Sequence, residues 1–266
     1  MGADIKQLRS RIKSVGSTLQ LTKAMGLVAS SKIRKANEAM IKSSEFSKAY
    51  EEAIEILSSS SECLKSPYMQ ENEGKTRIII IAGDRGLAGG YNANVFRLAA
   101  NYEDAEMIPI GKRACDRFGD EKNSAEGFSP EEAQKLAEEL CRDFSEGKFK
   151  RLGIIKTEYV SIMTQNAVIE WILPLAKKEN KNNAGMIFEP DELSVLNYAV
   201  TGYVAGKIVA AVRESFASEV AARRMAMDSA GKNAQQMIDD LTLEYNRVRQ
   251  GAITQEITEI VAGSGD

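Results

Sequence analysis

Asp4-Ile5-Lys6-Gln7-Leu8-Arg9-Ser10-Arg11-Ile12-Lys13-Ser14-Val15-Gly16-Ser17-Thr18-Leu19 lies near the start of the chain. Its apolar residues Ile5, Leu8, Ile12, Val15 and Leu19 are spaced 3-4-3-4. That is the rhythm of a helix burying one narrow stripe against another helix. Met25, Val28, Ala36 and Met40 roughly continue the stripe, and Ala49, Ala53, Ile54 and Leu57 extend it. The far end shows the same rhythm in Ile238, Leu241, Tyr245, Val248 and Ala252. Upstream of these, Val200, Val204, Ile208, Val212 and Phe216 recur every four residues. The five prolines all fall between Pro67 and Pro190, so both ends are free of the strongest helix breaker. The pattern predicts helices over 4–58 and 191–262, roughly 80 and 105 Å long at 1.5 Å per residue. Neither buries its stripe alone, so the two are expected to pair.

The middle reads differently. Arg77-Ile78-Ile79-Ile80-Ile81-Ala82 is a β-branched run ending at Gly83, the mark of a strand buried on both faces. A glycine-rich loop follows, then a helix over 92–100 with Asn92 as its expected cap. Met107–Ile110, Leu152–Val160 and Met186–Phe188 read as further strands. Ser129-Pro130-Glu131-Glu132 has the order cap, proline, acidic first turn, and opens a helix running to about Phe144. Strands alternating with helices imply a small, mainly parallel, Rossmann-like α/β layer. The expected divisions are 1–62 helix, 75–190 α/β domain and 191–266 helix, with solvated loops at 121–127 and 178–185.

Composition narrows the chemistry. The 266 residues include no histidine, which removes His-based acid–base catalysis, the Ser-His-Asp triad and His metal ligands. Three scattered cysteines, Cys63, Cys115 and Cys141, argue against a disulfide framework or a zinc site. The net charge of −3 is no footprint of a nucleic-acid-coating protein. Charge is unevenly placed, however. Residues 1–42 hold nine basic side chains against two acidic ones, and residues 101–147 hold thirteen acidic against six basic. Lys6, Arg9, Lys13 and Lys32-Ile33-Arg34-Lys35 make a basic helical face, either merely solvated or suited to an acidic partner. There is no apolar secretory segment, and no run of about eighteen apolar residues to span a membrane.

Gly83-Asp84-Arg85-Gly86-Leu87-Ala88-Gly89-Gly90 sits between a strand and a helix, where phosphate-binding loops occur. Its spacing is not G-x-G-x-x-G, and no Gly-Lys-Ser/Thr follows. A structural turn is the simpler reading. The competing one is a nucleotide-binding enzyme with a helical dimerisation stalk. Asp84 and Arg85 read as a tether between turns, and Glu131/Glu132 and Glu138/Glu139 as the wet face of a helix. No catalytic constellation, metal site or cofactor site emerges.

Further stretches point to a family. Leu21-Thr22-Lys23-Ala24-Met25 followed by Val28-Ala29-Ser30-Ser31-Lys32-Ile33-Arg34-Lys35-Ala36 resembles the N-terminal helix of gamma subunits of F-type ATP synthases. Asp84-Arg85-Gly86-Leu87 with Gly89-Gly90 and Asn92-x-Asn94 resembles that family's central loop. Ala217-Ser218-Glu219 with Ala221-Ala222-Arg223, Tyr245-Asn246-Arg247 with Arg249-Gln250, and Ile253-Thr254-Gln255-Glu256 with Glu259-Ile260 match its C-terminal helix. The likeness spans nearly the whole chain.

It implies an antiparallel coiled coil of the terminal helices with the α/β domain inserted between them as a foot. It implies a non-catalytic rotor shaft inside a ring of three alpha and three beta subunits, with the epsilon subunit and the membrane ring of c subunits at the foot. Carried over residue by residue, Lys23, Met25, Arg249 and Gln250 match positions that contact beta subunits. Tyr203 matches a position near the foot that faces the c ring. A bacterial protein at the cytoplasmic face of the plasma membrane, peripheral through the c ring, is implied, with no cofactor and no nucleic acid. Gly26 and Ala205 stand where relatives often carry Glu, and Ala262-Gly263-Ser264-Gly265-Asp266 is more polar than the usual tail.

Overall fold

A computed structural model describes residues 2–119, 123–177 and 188–263. The elements run α1 (Gly2–Ser58), β1 (Thr76–Ile81), α2 (Tyr91–Ala99), β2 (Glu106–Ile110), α3 (Lys112–Phe118), α4 (Pro130–Ser145), β3 (Arg151–Tyr159), β4 (Gln165–Leu173) and α5 (Glu192–Gly263), with two 3-10 turns at Cys63–Lys65 and Pro67–Met69. The two terminal helices match their expected ranges within two residues. Packing, however, divides the chain inside them. One unit is Met1–Ala29 with Arg224–Asp266; the other is Ser30–Arg223. The second unit takes in parts of both helices because Ile54, Leu57, Leu196, Val200, Val204 and Ile208 share one buried cluster with the sheet.

In the larger unit the strand order is β2-β1-β3-β4. β1 pairs in parallel with β2 and β3, and β3 pairs antiparallel with β4. The four consecutive isoleucines of β1 follow from burial on both faces. Ile79 and Ile81 join the cluster that includes Phe144 of α4 and Val204 of α5. Ile78 and Ile80 pack with Val95 of α2 and Ala114 of α3. Each is fully buried, contributing on the order of 1.5–3 kcal/mol of apolar burial. α4 begins as its sequence predicts. Ser129 Oγ accepts from Glu132 N–H at 3.2 Å, and the Glu132 carboxylate accepts from Ser129 N–H at 2.7 Å.

Four features differ from expectation. The sequence does not announce β4, which adds one antiparallel pairing to a sheet whose other two pairings are parallel, as expected. α3 was also missed: it starts directly after Gly111, whose φ of +94° turns the chain. Asn92 does not cap α2, because Gly90 holds that position; the Asn92 amide instead accepts from Gly83 N–H at 2.9 Å. The α1 stripe holds at Leu19, Ala36, Ile54 and Leu57 but departs at three positions. Val28, Ala49 and Ala53 are exposed, and the buried line passes through Thr22, Ala29, Ile33, Ala36, Ser47, Ile54 and Leu57. Of the expected strand at Met186–Phe188, residues 186–187 lie outside the described residues, as does all of the loop 178–185 and part of 121–127.

α5 also contains an 18-residue stretch of mean hydropathy 1.4, enough by length and composition to cross a membrane. Half of that stretch is buried. A helix covered on all sides by its own protein needs the same apolar composition as one covered by lipid.

In the smaller unit the two helices run antiparallel. Arg9 donates to the Tyr245 hydroxyl at 3.0 Å, and a side chain at Gly26 would lie 3.6 Å from Met227 Cβ. Gly231 faces Thr22 and Leu19. On α5 the covered positions are Met227, Gly231, Ala234, Ile238, Leu241, Tyr245, Val248 and Ala252, a strict 4-3 alternation. Glycines on both helices, Gly26 against Met227 and Gly231 against Thr22 and Leu19, allow a close approach of the two backbones.

Candidate functional sites at the glycine-rich loop and on the paired helices

β1 and β3 neighbour each other, yet the chain leaves β1 for β2 on one side and later returns to β3 on the other. The carboxyl ends of β1 and β3 therefore form a topological switch point, where open α/β sheets bind ligands. The loop 83–90 occupies it. Its interior is already filled. Glu219 of α5, 3% exposed, lies so close that a Cβ on Gly83 would sit 2.7 Å from its carboxyl carbon. Arg223 donates to Glu219 one helical turn away and to the Gly86 carbonyl at 3.3 Å. Burial pushes the Glu219 carboxyl above its ordinary range, with Arg223 opposing.

Asp84 ties the loop down from the other side. Its carboxylate accepts from Ser124 Oγ at 2.6 Å and from the N–H groups of Ala125, Glu126 and Lys112 at 2.9, 3.0 and 3.1 Å. Partial burial alone would raise its pKa, but these four hydrogen bonds hold it below the ordinary 3.8. Asp84 is thus a tether between turns, joining its loop to the 124–126 turn and to the start of α3. Two carboxylates stand where an anionic ligand would need donors, so the loop has the electrostatics of a joint rather than of a phosphate cradle.

The cysteines behave as small apolar residues. All three are buried, and burial raises the thiols of Cys63 and Cys141 to about 11 and about 12.

On the paired helices, Lys23 is exposed beside buried Thr22, and Met25 is half-buried beside Gly26. Arg249 and Gln250 are exposed between the seam positions Val248 and Ala252. The antiparallel pairing sets Met25 near the level of Met227. Arg249 lies 22 residues further along α5, about 33 Å at 1.5 Å per residue. The four residues therefore lie in two separate places on the helix pair. Tyr203 belongs to the larger unit and is 8% exposed, with Lys207 Nζ 5.7 Å from its ring centre. Burial pushes its hydroxyl up to about 12. Of the basic face, Lys32 pairs with Glu126 at 2.5 Å and Ile33 is buried, while Lys6, Lys13 and Lys35 are exposed.

The seam ends at Ala252. From Ile253 to Gly263 every residue of α5 is exposed. Ile253, Ile257 and Ile260 recur every three to four residues there, with exposures of 43–66%. This apolar stripe on an uncovered helix has the form of a partner contact. Glu219, Arg223 and Lys207 were given no role in the sequence reading. Their signal was charge inside an otherwise apolar stretch, where a buried charge requires a partner.

A family model described as ATP synthase matches residues 4–265. The ATP synthase gamma chain of Ruminococcus albus is 38% identical, with 98% of each chain covered. That of Alkaliphilus metalliredigens is also 38% identical, with 99% of each covered. A sodium-ion-specific ATP synthase gamma chain of Acetobacterium woodii is 36% identical, again over 99% of each. Among solved structures, a chain of the Euglena gracilis mitochondrial ATP synthase OSCP/F1/c-ring complex superposes with a TM-score of 0.68 at 17% identity, covering 99% of this chain and 94% of that one. A chain from the rotor of the same enzyme gives 0.64 at 18% identity, covering 95% and 100%.

Proposed function

The chain belongs to the ATP synthase family as a gamma chain, the central-stalk subunit of a membrane-associated rotary ATPase, and from that premise we propose how it works. It is a rotor shaft without a catalytic centre of its own. It turns inside three alpha and three beta subunits, and engages the epsilon subunit and the membrane ring of c subunits through the α/β unit. It works at the cytoplasmic face of a bacterial plasma membrane.

The observation that carries the shaft reading is the exposed stripe Ile253, Ile257 and Ile260, which α5 presents beyond the last seam residue. Among the described residues every position from Ile253 to Gly263 is exposed, so a surrounding protein surface is the natural cover of these isoleucines. Lys23 and Met25 form one proposed contact with the beta subunits; Arg249 and Gln250 form the other, about 33 Å away. Arg249 offers a planar fork to carboxylates, so Lys does not replace it. Tyr203 meets the c ring only through the small edge it leaves exposed.

The physical mechanism is unequal contact. An asymmetric shaft binds different conformations of a beta subunit with different affinity at each angle, and that difference shifts their populations. A nucleotide-binding enzyme finds no support, since Asp84 and Glu219 hold the switch point where a phosphate would sit.

The test is a pull-down of the tagged chain from gently solubilised native membranes, with subunit mass spectrometry and an ATPase assay. Recovery of alpha, beta and epsilon subunits with ATP hydrolysis is expected. Recovery of this chain alone, without activity, would overturn the proposal.

A further inference from the structure

Within the larger unit, α1 meets the α/β core in two different ways. At Ile54 and Leu57 it packs by buried apolar contact. Between residues 40 and 51 it borders a cavity of about 420 Å³ instead, with Met40, Ser44 and Lys48 on its side and Tyr159, Glu170 and Glu214 across from it. Over this span α1 touches α5 through Tyr50 at Gly202 and through Phe46 and Ser47 at Gly206, but it faces the sheet across the cavity.

A chain of ion pairs crosses the gap. Lys207 of α5 bonds Glu51 of α1 and Glu170 of β4, both at 2.8 Å. Lys156 of β3 bonds the same Glu170 and Glu214 of α5, both at 2.9 Å. The Lys207 and Lys156 side chains are only 9% and 18% exposed, so water screens these pairs far less than it would on an open surface. Burial by itself would discharge Lys207, yet its carboxylate partners hold its pKa above the ordinary value; those of Lys156 do the same. Glu170 is the shared member, and its two lysines hold it ionised against burial.

The consequence is asymmetric. α5 is gripped all round by apolar core at Val204, Ile208, Ala211 and Val212. Beside the cavity, α1 has the Glu51–Lys207 bond as its polar link to the sheet. We propose that Glu51–Lys207–Glu170–Lys156–Glu214 is a coupling joint that passes turning force from the sheet to α1. It thereby sets how much of the work of ATP turnover reaches ion transport. The inference rests on the central-stalk reading above.

The test uses the whole ATP synthase in inverted membrane vesicles, with Glu51→Gln, Lys207→Met and Lys207→Arg. ATP hydrolysis, ATP-driven ion pumping and thermal unfolding are measured on each. Glu51→Gln and Lys207→Met should leave assembly and hydrolysis in place and lower ions pumped per ATP by roughly twofold or more, the scale on which coupling networks respond to mutation. Lys207→Arg, which still bridges two carboxylates, should pump like the unsubstituted enzyme. If Lys207→Met fails to assemble, Glu51→Gln decides, because Glu51 is 42% exposed and its loss leaves Lys207–Glu170 intact. An unchanged pumping ratio in Glu51→Gln overturns the joint, even if its unfolding temperature falls, since that marks a merely structural pair. Failure of the unsubstituted chain to co-purify with alpha and beta subunits strikes the central-stalk reading instead.

Discussion

α5 has two lives in this protein. From Ala199 to Ala221 no residue is exposed, and even its polar residues Lys207, Ser215, Ser218 and Glu219 are buried and bonded. From Met227 to Ala252 it covers one residue in three or four at least partly, and from Ile253 to Gly263 none. The same kind of helix therefore stores stability in the larger unit and displays surface in the smaller one. Equal substitutions should have unequal effects in the two, and that contrast is open to test.

The largest difference concerns glycine. Gly111 has a φ of +94°, and a Cβ there would lie 2.0 Å from the Ala82 carbonyl oxygen. Gly111→Ala should destabilise the α/β unit by about 3 kcal/mol or more. Gly251 meets nothing within 4 Å, so Gly251→Ala should stabilise its helix by about 0.5–1 kcal/mol. Thermal unfolding of both variants reads the opposite signs; a loss in both would break the contrast.

Leucine follows. Leu152 is fully buried in β3, and Leu152→Ala should cost about 2–5 kcal/mol. Leu241, 8% exposed on the two-helix seam, should cost about 2 kcal/mol, the low end of that range. Hydrogen exchange separates them: Leu152→Ala should loosen the sheet amides, and Leu241→Ala only those of the helix pair.

Acid should act on the larger unit. Asp143, 7% exposed, receives hydrogen bonds from Lys148 at 2.8 Å and Arg77 at 2.7 Å, and these hold its carboxyl below the ordinary 3.8. Its contribution is complete above pH 3.8 and lost as pH falls below that value toward the folded-state pKa. Asp84 and Glu170 are shifted the same way. Unfolding temperature should therefore drop as pH falls through about 4. The drop should be shallower in Asp143→Asn, and an identical slope in that variant would remove Asp143 from the account.

The smallest effect on stability should come with a large effect on function. Ile257→Ser and Ile260→Ser alter exposed side chains and should change the isolated chain's stability by no more than about 0.5 kcal/mol. In the assembled enzyme they should lower ATP-driven pumping. Removing residues 253–266 should weaken coupling more than assembly.

Most of the fold was legible because its signals are periodic or punctuated. The heptad at Ile5–Leu19, the isoleucine run of β1 and the Ser129 capping box each state their structure locally. The misplaced stripe residues Val28, Ala49 and Ala53 came from favouring apolar side chains. The actual seam runs through Thr22, Gly26 and Ser47, where small size rather than hydrophobicity suits a close helix approach. β4 was hidden because most of its residues are half-buried on both faces, so Gln165–Leu173 shows no clean alternation. The surface contacts are proposed by resemblance alone, since an exposed Lys23 or Arg249 has no local signature. The tethers of the glycine-rich loop come from Ser124, Glu219 and Arg223, up to 138 residues away, which no local pattern connects.

The central claim is that this chain turns. Assembled with its alpha and beta subunits on a surface, with a bead fixed through a cysteine introduced on an exposed position of the α/β unit, the chain should rotate in one direction when ATP is supplied and stop when ATP is withdrawn. An assembly that hydrolyses ATP while the bead stays still, or only diffuses, would contradict the account.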